Sequence, residues 1–321
     1  MRKVLFLDTV HPLIPSQLTK AGYRCDFNTG SGPGEIGEII GEYFGVIIRS
    51  RITLNRVLLD KAVNLKFIGR VGAGMENIDV EYAQHRRIRC LNSPEGNRDA
   101  VGEHTLGLLL CLMNNMIRAD RQVRNGQWIR EGNRGIEIRG KTIGIVGYGH
   151  MGSAFAQRLK GFNANVISWD KYKQHYSDGN TREAMMDELF ENSDILSLHV
   201  PLTEETRYLV DGKFIESFRK PFFLVNTSRG AVIRTADLVH HLESGKVLGA
   251  ALDVLEYENL SFENLAWAAT PEMKFLMHAD NVVMTPHIAG WTAESNVKLA
   301  QVLVDKIITN FAGTKTIENE V

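Results

Sequence analysis

Short apolar runs rich in β-branched residues recur along the chain, each bounded by turn residues and separated by stretches with apolar positions three and four apart. The runs are Val4–Leu7, Val46–Ile48, Phe67–Ile68, Ile88–Leu91, Ile143–Val146, Val166–Trp169, Ile195–Leu198, Phe222–Val225, Val247–Ala251 and Val282–Met284. Strand-like runs alternating with helical periodicity predict parallel sheets with crossover helices, a doubly wound α/β architecture. A long helical pattern spans Ala100–Gly126, and a last one, Thr292–Phe311, follows the final run. No internal repeat, low-complexity tract or charge run interrupts the alternation.

With 321 residues, the chain exceeds the size at which one core keeps growing, so two domains are expected. Its 44% hydrophobic and 23% charged residues are ordinary for a globular protein. Lys and Arg number 37 against 38 Asp and Glu, an even balance that favours a small-molecule partner over nucleic acid or an anionic membrane. The three cysteines, Cys25, Cys90 and Cys111, lie far apart and form no CxxC pair. That argues against a disulfide framework or a structural zinc site and implies a reducing, cytoplasmic setting with no metal. The first apolar run is too short for a signal peptide's core, and the longest, Leu106–Met113, is well short of a bilayer span.

The strand-like run ending at Val146 leads into Gly147-Tyr148-Gly149-His150-Met151-Gly152 and then a helical pattern, Ser153–Leu159. This is G-x-G-x-x-G in the strand-turn-helix context that gives it meaning. The first glycine permits the turn, the second lets backbone approach a pyrophosphate, and the third lets helix pack on strand, with the helix N-terminus facing the anion. The next run ends in Asp170, at the distance expected of a carboxylate that accepts from ribose hydroxyls and repels a 2′-phosphate. NAD is therefore favoured over NADP, with Lys171 and Lys173 as the opposing signal.

Three later segments put ionisable residues just after apolar runs, where open α/β sheets bind ligands. They are Asn226–Gly230, Leu252–Glu258 and Thr285–Gly290. Removing a hydride from a carbinol carbon requires taking the hydroxyl proton as well, which an imidazole can do at neutral pH. His287 is the candidate base, Glu258 the carboxylate that would orient it, and Arg229 the guanidinium that would grip a substrate carboxylate in a fork. Taken singly, each has an ordinary alternative as a solvated or structurally satisfied side chain.

Together these segments resemble the D-isomer-specific 2-hydroxyacid dehydrogenases, along with Gly69–Asp79, Val101-Gly102-Glu103-His104 and His199-Val200-Pro201-Leu202-Thr203. The match runs over nearly the whole chain, and its several motifs stand in the family's order. The resemblance implies an Arg-Glu-His triad at Arg229, Glu258 and His287. It further implies cofactor contacts at Gly147, Gly149, His150, Met151, Gly152, Asp170, His199, Val200, Pro201, Thr227, Ser228, Arg229, Asp253, His287, Ala289 and Gly290, with Asp253 near the nicotinamide amide. The backbone of Val71, Gly72, Ala73 and Gly74 would hold the substrate carboxylate. The implied fold is two doubly wound, Rossmann and flavodoxin-like domains with a cleft between them. Residues 1–98 with 293–321 would form the substrate domain and 99–292 the NAD-binding Rossmann domain, which accounts for a glycine turn so late in the chain.

Within the family, Gly69–Gly74, Asn92–Asn97 and the glycine turn are most like the branch that oxidises 3-phosphoglycerate. Arg49, Arg51, Arg70 and Arg98 fall in or beside loops expected to face the cleft, which suits a phosphate but equally suits surface arginines, and Arg49, Ser50 and Arg70 join Val71–Gly74 as candidate substrate contacts. Hydroxypyruvate, glyoxylate or D-lactate chemistry is the alternative, as is a non-enzymatic, NAD-sensing interaction protein of the corepressor kind. The long C-terminal regulatory extension of some relatives is expected to be missing. The segment Leu106–Ile117 reads as the surface of a homodimer, an internal core helix being the other reading. Two departures stand out: Asn259 follows Glu258 where the family has proline, and Leu260–His278, with Phe262, Trp267 and Phe275, is lengthened.

Overall fold

A computed structural model describes residues 1–258 and 270–311. The chain forms two compact units, one of Met1–Asn97 with Trp291–Val321 and one of Arg98–Gly290.

The first unit holds β1 (Arg2–Phe6), β2 (Tyr23–Phe27), β3 (Gly45–Ile48), β4 (Phe67–Arg70) and β5 (Arg89–Leu91) in the order β2-β1-β3-β4-β5. Every pairing is parallel. The order reverses between β1 and β3, so the carboxyl ends of these two strands flank the crevice where such sheets take ligands. The last helix, Ala293–Phe311, drops Ala300, Leu303, Val304 and Ile307 onto Phe6, Ile47 and Phe67 and completes this core.

The second unit is a seven-stranded parallel sheet of β6 (Thr142–Val146), β7 (Asn165–Trp169), β8 (Arg182–Glu183), β9 (Ile195–Leu198), β10 (Phe222–Asn226), β11 (Val247–Leu252) and β12 (Val282–Met284). Their order is β12-β11-β10-β9-β6-β7-β8. That is the dinucleotide-binding arrangement with an added edge strand, its reversal falling at β6, directly before the glycine turn. The central strands are buried on both faces, β9 completely, which is why they read as continuous apolar runs.

All ten apolar runs are strands or parts of strands. Two strands carried no such signal. β2 is an edge strand whose Arg24 and Asp26 break the apolar run, and β8 is only two residues long. The helical pattern over Ala100–Gly126 is two helices, Arg98–Met113 and Met116–Arg124, because Asn115 takes a left-handed conformation with φ of 53°. Asparagine tolerates that region better than other side chains, so the break falls there. Within Leu106–Ile117, the residues Leu108, Leu109, Leu112 and Met113 are buried inside this unit, and of its large apolar side chains Met116 and Ile117, at the far end, are the exposed ones. The segment is mainly a core helix of its own unit. Among the described residues, no helix is long and apolar enough to cross a membrane.

Candidate active site

The glycine turn has the three properties its pattern requires. Gly147 has φ of +92°, and a Cβ there would lie 2.5 Å from the His199 carbonyl oxygen. A Cβ at Gly152 would lie 2.1 Å from the Gly147 carbonyl oxygen, so the helix His150–Arg158 can sit on the turn only without one. At Gly149, by contrast, a Cβ would meet nothing within 4 Å. Gly149 is also the helix N-cap and offers no side-chain cap, so the first amides of the helix and the space before them are open to an anion. His150 is exposed and Met151 half-buried beside them.

The rim expected to hold the ribose is braced around Asp170. Its carboxylate accepts from the amide of Tyr148 at 2.8 Å and that of Tyr172 at 3.0 Å, tying β7's end to the glycine turn. Both nearby lysines are engaged elsewhere. Lys173 Nζ donates to the Tyr148 carbonyl at 2.6 Å, and Lys171 pairs with Glu205 at 2.9 Å. Glu205 also accepts from the Tyr172 hydroxyl at 2.6 Å. A 2′-phosphate would therefore meet the Asp170 carboxylate and no uncommitted lysine from this stretch.

His199 lies beneath the turn with its side chain buried. Its Nε2 is 2.9 Å from Ser197 Oγ, its ring packs 5.5 Å from that of Phe155, and its Nδ1 has no partner among the described residues. Burial pushes its pKa down to about 3, so it is neutral at working pH. Its carbonyl, not its imidazole, approaches Gly147. Val200, half-buried, and the exposed Pro201 follow.

At the ends of β11 and β12 the structure builds a compact polar cluster on Asp253, which is 1% exposed. The Asp253 carbonyl accepts from the His287 amide at 2.8 Å, Oδ1 from the Ile288 amide at 2.9 Å, and Oδ2 from the Ala289 amide at 2.8 Å. One residue thus holds three successive amides. His287 itself has φ of 55°, a left-handed backbone costly for a residue with a Cβ, and these bonds are what keep it there. Burial alone would raise the Asp253 carboxyl, but bonds from His104, Thr285 and the Ala289 and Ile288 amides outweigh it and hold it below the usual carboxylate range.

So positioned, His287 Nδ1 lies 2.7 Å from Glu258 Oε2. Glu258 is fixed in turn, because its Oε1 accepts from the Leu255 amide in the same tight loop. The neighbouring Glu256 anchors that loop from the other side, accepting from the Tyr208 hydroxyl at 2.7 Å and the Thr235 amide at 2.8 Å.

Arg229 follows β10. Asn226 Oδ1 accepts from both the amide and the hydroxyl of Ser228, its Nδ2 donates to the Arg229 carbonyl, and Arg229 Nη1 donates to the Ser228 carbonyl at 2.6 Å. A Cβ at Gly230 would lie 2.0 Å from the Leu255 carbonyl group, so this glycine lets the Arg229 segment press against the Glu258 loop. Thr227 meets Thr105 of the helix Arg98–Met113 at 2.9 Å between hydroxyls. Asn259 and Leu260–Ala269, including Phe262 and Trp267, lie outside the described residues. Phe275, in the helix Pro271–His278, packs against the core of the second unit.

In the first unit, Val71–Gly74 follows β4. Gly72 has φ of +148°, its amide donates to Ser93 Oγ at 3.2 Å, and Asn92 Nδ2 donates to the Ala73 carbonyl at 2.7 Å. Arg49 and the half-buried Ser50 follow β3. The Arg49 amide donates to Asp8 at 2.5 Å, and its guanidinium stacks 4.6 Å from the Trp291 ring. Arg70 Nη1 donates to the Val71 carbonyl at 3.1 Å. Arg51 is spent on structure, donating to the carbonyls of Leu7, Asn28 and Ser31. Arg98 is exposed at the start of the second unit.

Residues 106–289, within this second unit, match the family described as D-isomer specific 2-hydroxyacid dehydrogenase, NAD binding domain. The chain belongs to that family. A D-3-phosphoglycerate dehydrogenase of Archaeoglobus fulgidus is 33% identical over 313 residues, covering 97% of this chain and 58% of that protein. The chain thus spans little more than half the length of that relative. A hydroxypyruvate reductase of Thermotoga maritima is 36% identical over 274 residues, covering 85% of this chain and 86% of the relative. Among solved structures, a D-lactate dehydrogenase of Treponema pallidum superposes with a TM-score of 0.77 at 26% identity over 100% of both chains.

For a member of this family, the motifs single out the ionisable groups but not what holds them. Thr105, Tyr208, Glu256 and Thr285 brace the site, and only Glu256 and Thr285 sat inside motifs that could have drawn attention to them.

Proposed function

We propose that the chain is an NAD-dependent oxidoreductase that interconverts a small D-2-hydroxy acid and its 2-keto acid. The observation that carries this reading is the His287–Glu258 pair at 2.7 Å, held on a turn that Asp253 fixes, in the unit that carries the open glycine turn. A carboxylate only accepts, so the proton on this bond belongs to His287 Nδ1 and leaves Nε2 as the basic lone pair. Nε2 takes the substrate's hydroxyl proton, and Glu258 stabilises the imidazolium that forms. Arg229 grips the substrate carboxylate and polarises the neighbouring carbonyl. Bound NAD supplies the acceptor for the hydride. The glycine-turn amides would hold its pyrophosphate and Asp170 its ribose, and the amides of Val71–Gly74 would serve to bind the acid's carboxylate.

For the substrate, 3-phosphoglycerate comes first, on the likeness to phosphoglycerate dehydrogenases. One observation favours an unphosphorylated acid: Arg51 is committed to three carbonyls, leaving fewer cations for a phosphate. NADH formation with D-3-phosphoglycerate, run beside NADH consumption with hydroxypyruvate, glyoxylate and pyruvate, separates the two. Turnover with none of the four would overturn the reading. An NAD-sensing interaction protein is disfavoured, since it needs no imidazole held against a carboxylate.

A homodimer is the proposed assembly. Met116, Ile117, Val123, Trp128, Ile129 and Ile136 expose apolar side chains after the helix Arg98–Met113, the kind of surface a second copy would cover. Sedimentation of wild type against Ile117→Glu tests it, the variant shifting toward monomer. The unpaired cysteines fit a cytoplasmic setting.

A further inference from the structure

The motif Val101–His104 has no role in the reaction as described so far, yet its helix carries two polar residues into the site. The helix Arg98–Met113 otherwise turns Ala100, Val101, Leu108, Leu109 and Leu112 inward. His104 and Thr105, adjacent on one turn, reach the segments that follow β10, β11 and β12. Thr105 Oγ1 donates to the Val101 carbonyl at 2.6 Å, so its contact with Thr227 is accepted from the Thr227 hydroxyl. His104 Nε2 lies 3.1 Å from Thr285 Oγ1 and 3.5 Å from Asp253 Oδ1.

The direction of these bonds is fixed by elimination. Thr285 Oγ1 lies 2.5 Å from Asp253 Oδ1, and an ionised carboxylate can only accept, so the single hydroxyl proton of Thr285 is used there. The Thr285 oxygen must then accept from His104, which places a proton on His104 Nε2. A directed chain runs from imidazole to hydroxyl to carboxylate, ending on the residue that holds the amides of Ile288 and Ala289. Asp253 is buried, and its carboxylate accepts from Thr285 and the Ile288 and Ala289 amides of the His287 turn, with His104 the link from this cluster to the helix Arg98–Met113.

We propose that His104 is a positioning residue for His287, acting through Thr285 and Asp253 to lock the turn that presents the catalytic imidazole. Its ring acts through Thr285 and Asp253, the groups it meets, and not on the hydroxyl proton itself. Its donor aligns the Asp253 carboxylate, and that alignment sets where His287 Nε2 points. This role rests on the dehydrogenase reading for its consequence in turnover but not for its geometry.

The test compares wild type with His104→Leu, which removes the donor, and His104→Gln, whose amide can supply it at similar reach. The expected result is a kcat lower by about tenfold or more in His104→Leu, with KM for NAD and for the acid little changed, and most of the loss restored in His104→Gln. Exchange of the Ile288 and Ala289 amides, followed by NMR, gives a readout independent of turnover. It should quicken in His104→Leu and return toward wild type in His104→Gln. Unchanged kcat and exchange in His104→Leu, or a Gln variant as impaired as Leu, would overturn the proposal. A wild-type chain without turnover removes the dehydrogenase reading alone, and amide exchange then decides the positioning role; an active wild type with an unaffected Leu variant removes only the role of His104. If His104→Leu does not fold, His104→Asn, a shorter donor, is expected to show the same kcat loss at unchanged KM.

Discussion

The imidazole of His287 and the carboxylate of Glu258 meet at 2.7 Å between Nδ1 and Oε2, His287 on a turn held by Asp253 and Glu258 accepting from the Leu255 amide of its own loop. Replacing His287 with Ala removes the proton acceptor and is expected to lower kcat by about a hundredfold to ten-thousandfold. Affinity for NADH, measured by fluorescence titration, should change little, because the amides around residue 288 remain. Glu258→Gln should fall between His287→Ala and wild type, since an amide still orients the ring but no longer stabilises its charge. Near-wild turnover in His287→Ala would remove the assigned base.

The three glycines of the turn should separate fold from binding. Gly152→Ala forces a methyl to within 2.1 Å of the Gly147 carbonyl oxygen and is expected to cost about 1–3 kcal/mol in urea unfolding. Gly149→Ala points into open space, so stability should hold while the KM for NAD rises. Equal stability losses in the two variants would show that the second glycine is structural.

Cofactor choice should need more than one substitution to change. Asp170→Ser removes a charged acceptor and should weaken NAD by about tenfold or more. It should not by itself create good use of NADP, because Lys171 remains with Glu205 and Lys173 with the Tyr148 carbonyl. Adding Glu205→Gln to Asp170→Ser frees Lys171 and should raise kcat/KM for NADP. Efficient NADP turnover in Asp170→Ser alone would show that these lysine contacts do not restrain specificity.

Stability should fall in mild acid because of His199. Its folded-state pKa is down to about 3 against an ordinary 6.5, so between these values the unfolded chain binds a proton that the native chain does not. Stability contributed by the neutral imidazole is whole above about pH 6.5 and declines as pH falls toward 3, by at most about 1.4 kcal/mol per pH unit. Urea midpoints measured from pH 7 to pH 4 should therefore fall more steeply for wild type than for His199→Asn. Parallel slopes would assign acid sensitivity elsewhere.

Much of this molecule is legible in its sequence because buried parallel strands must be apolar throughout, so all ten runs proved to be strands and the glycine turn announced its own geometry. What escaped was governed by other physics. β2 lies at a sheet edge, where Arg24 and Asp26 cost nothing, and the break at Asn115 depends on one dihedral angle. The bonds from Asp253 to the His287 turn, and from His104 to Thr285, join residues far apart in the chain, and no periodicity encodes which way a buried carboxylate turns. Arg51, left open between a cation for phosphate and an ordinary surface arginine, donates to three carbonyls that follow β1 and β2, a convergence no local pattern encodes.

The placement of the helix Ala293–Phe311 in the core of the first unit bears on how the protein is made. A ribosome delivers β1–β5 first, and Ile14 and Leu18 with them, but the core around Phe6, Ile47 and Phe67 lacks the rest of its covering layer until Ala300, Leu303, Val304 and Ile307 emerge. The unit of Arg98–Gly290, one uninterrupted stretch, has all its parts before that. Order of synthesis and order of completion are thus expected to be inverted: the nascent N-terminal sheet keeps part of its apolar face uncovered until the last helix arrives, after the later-made unit already has all its parts.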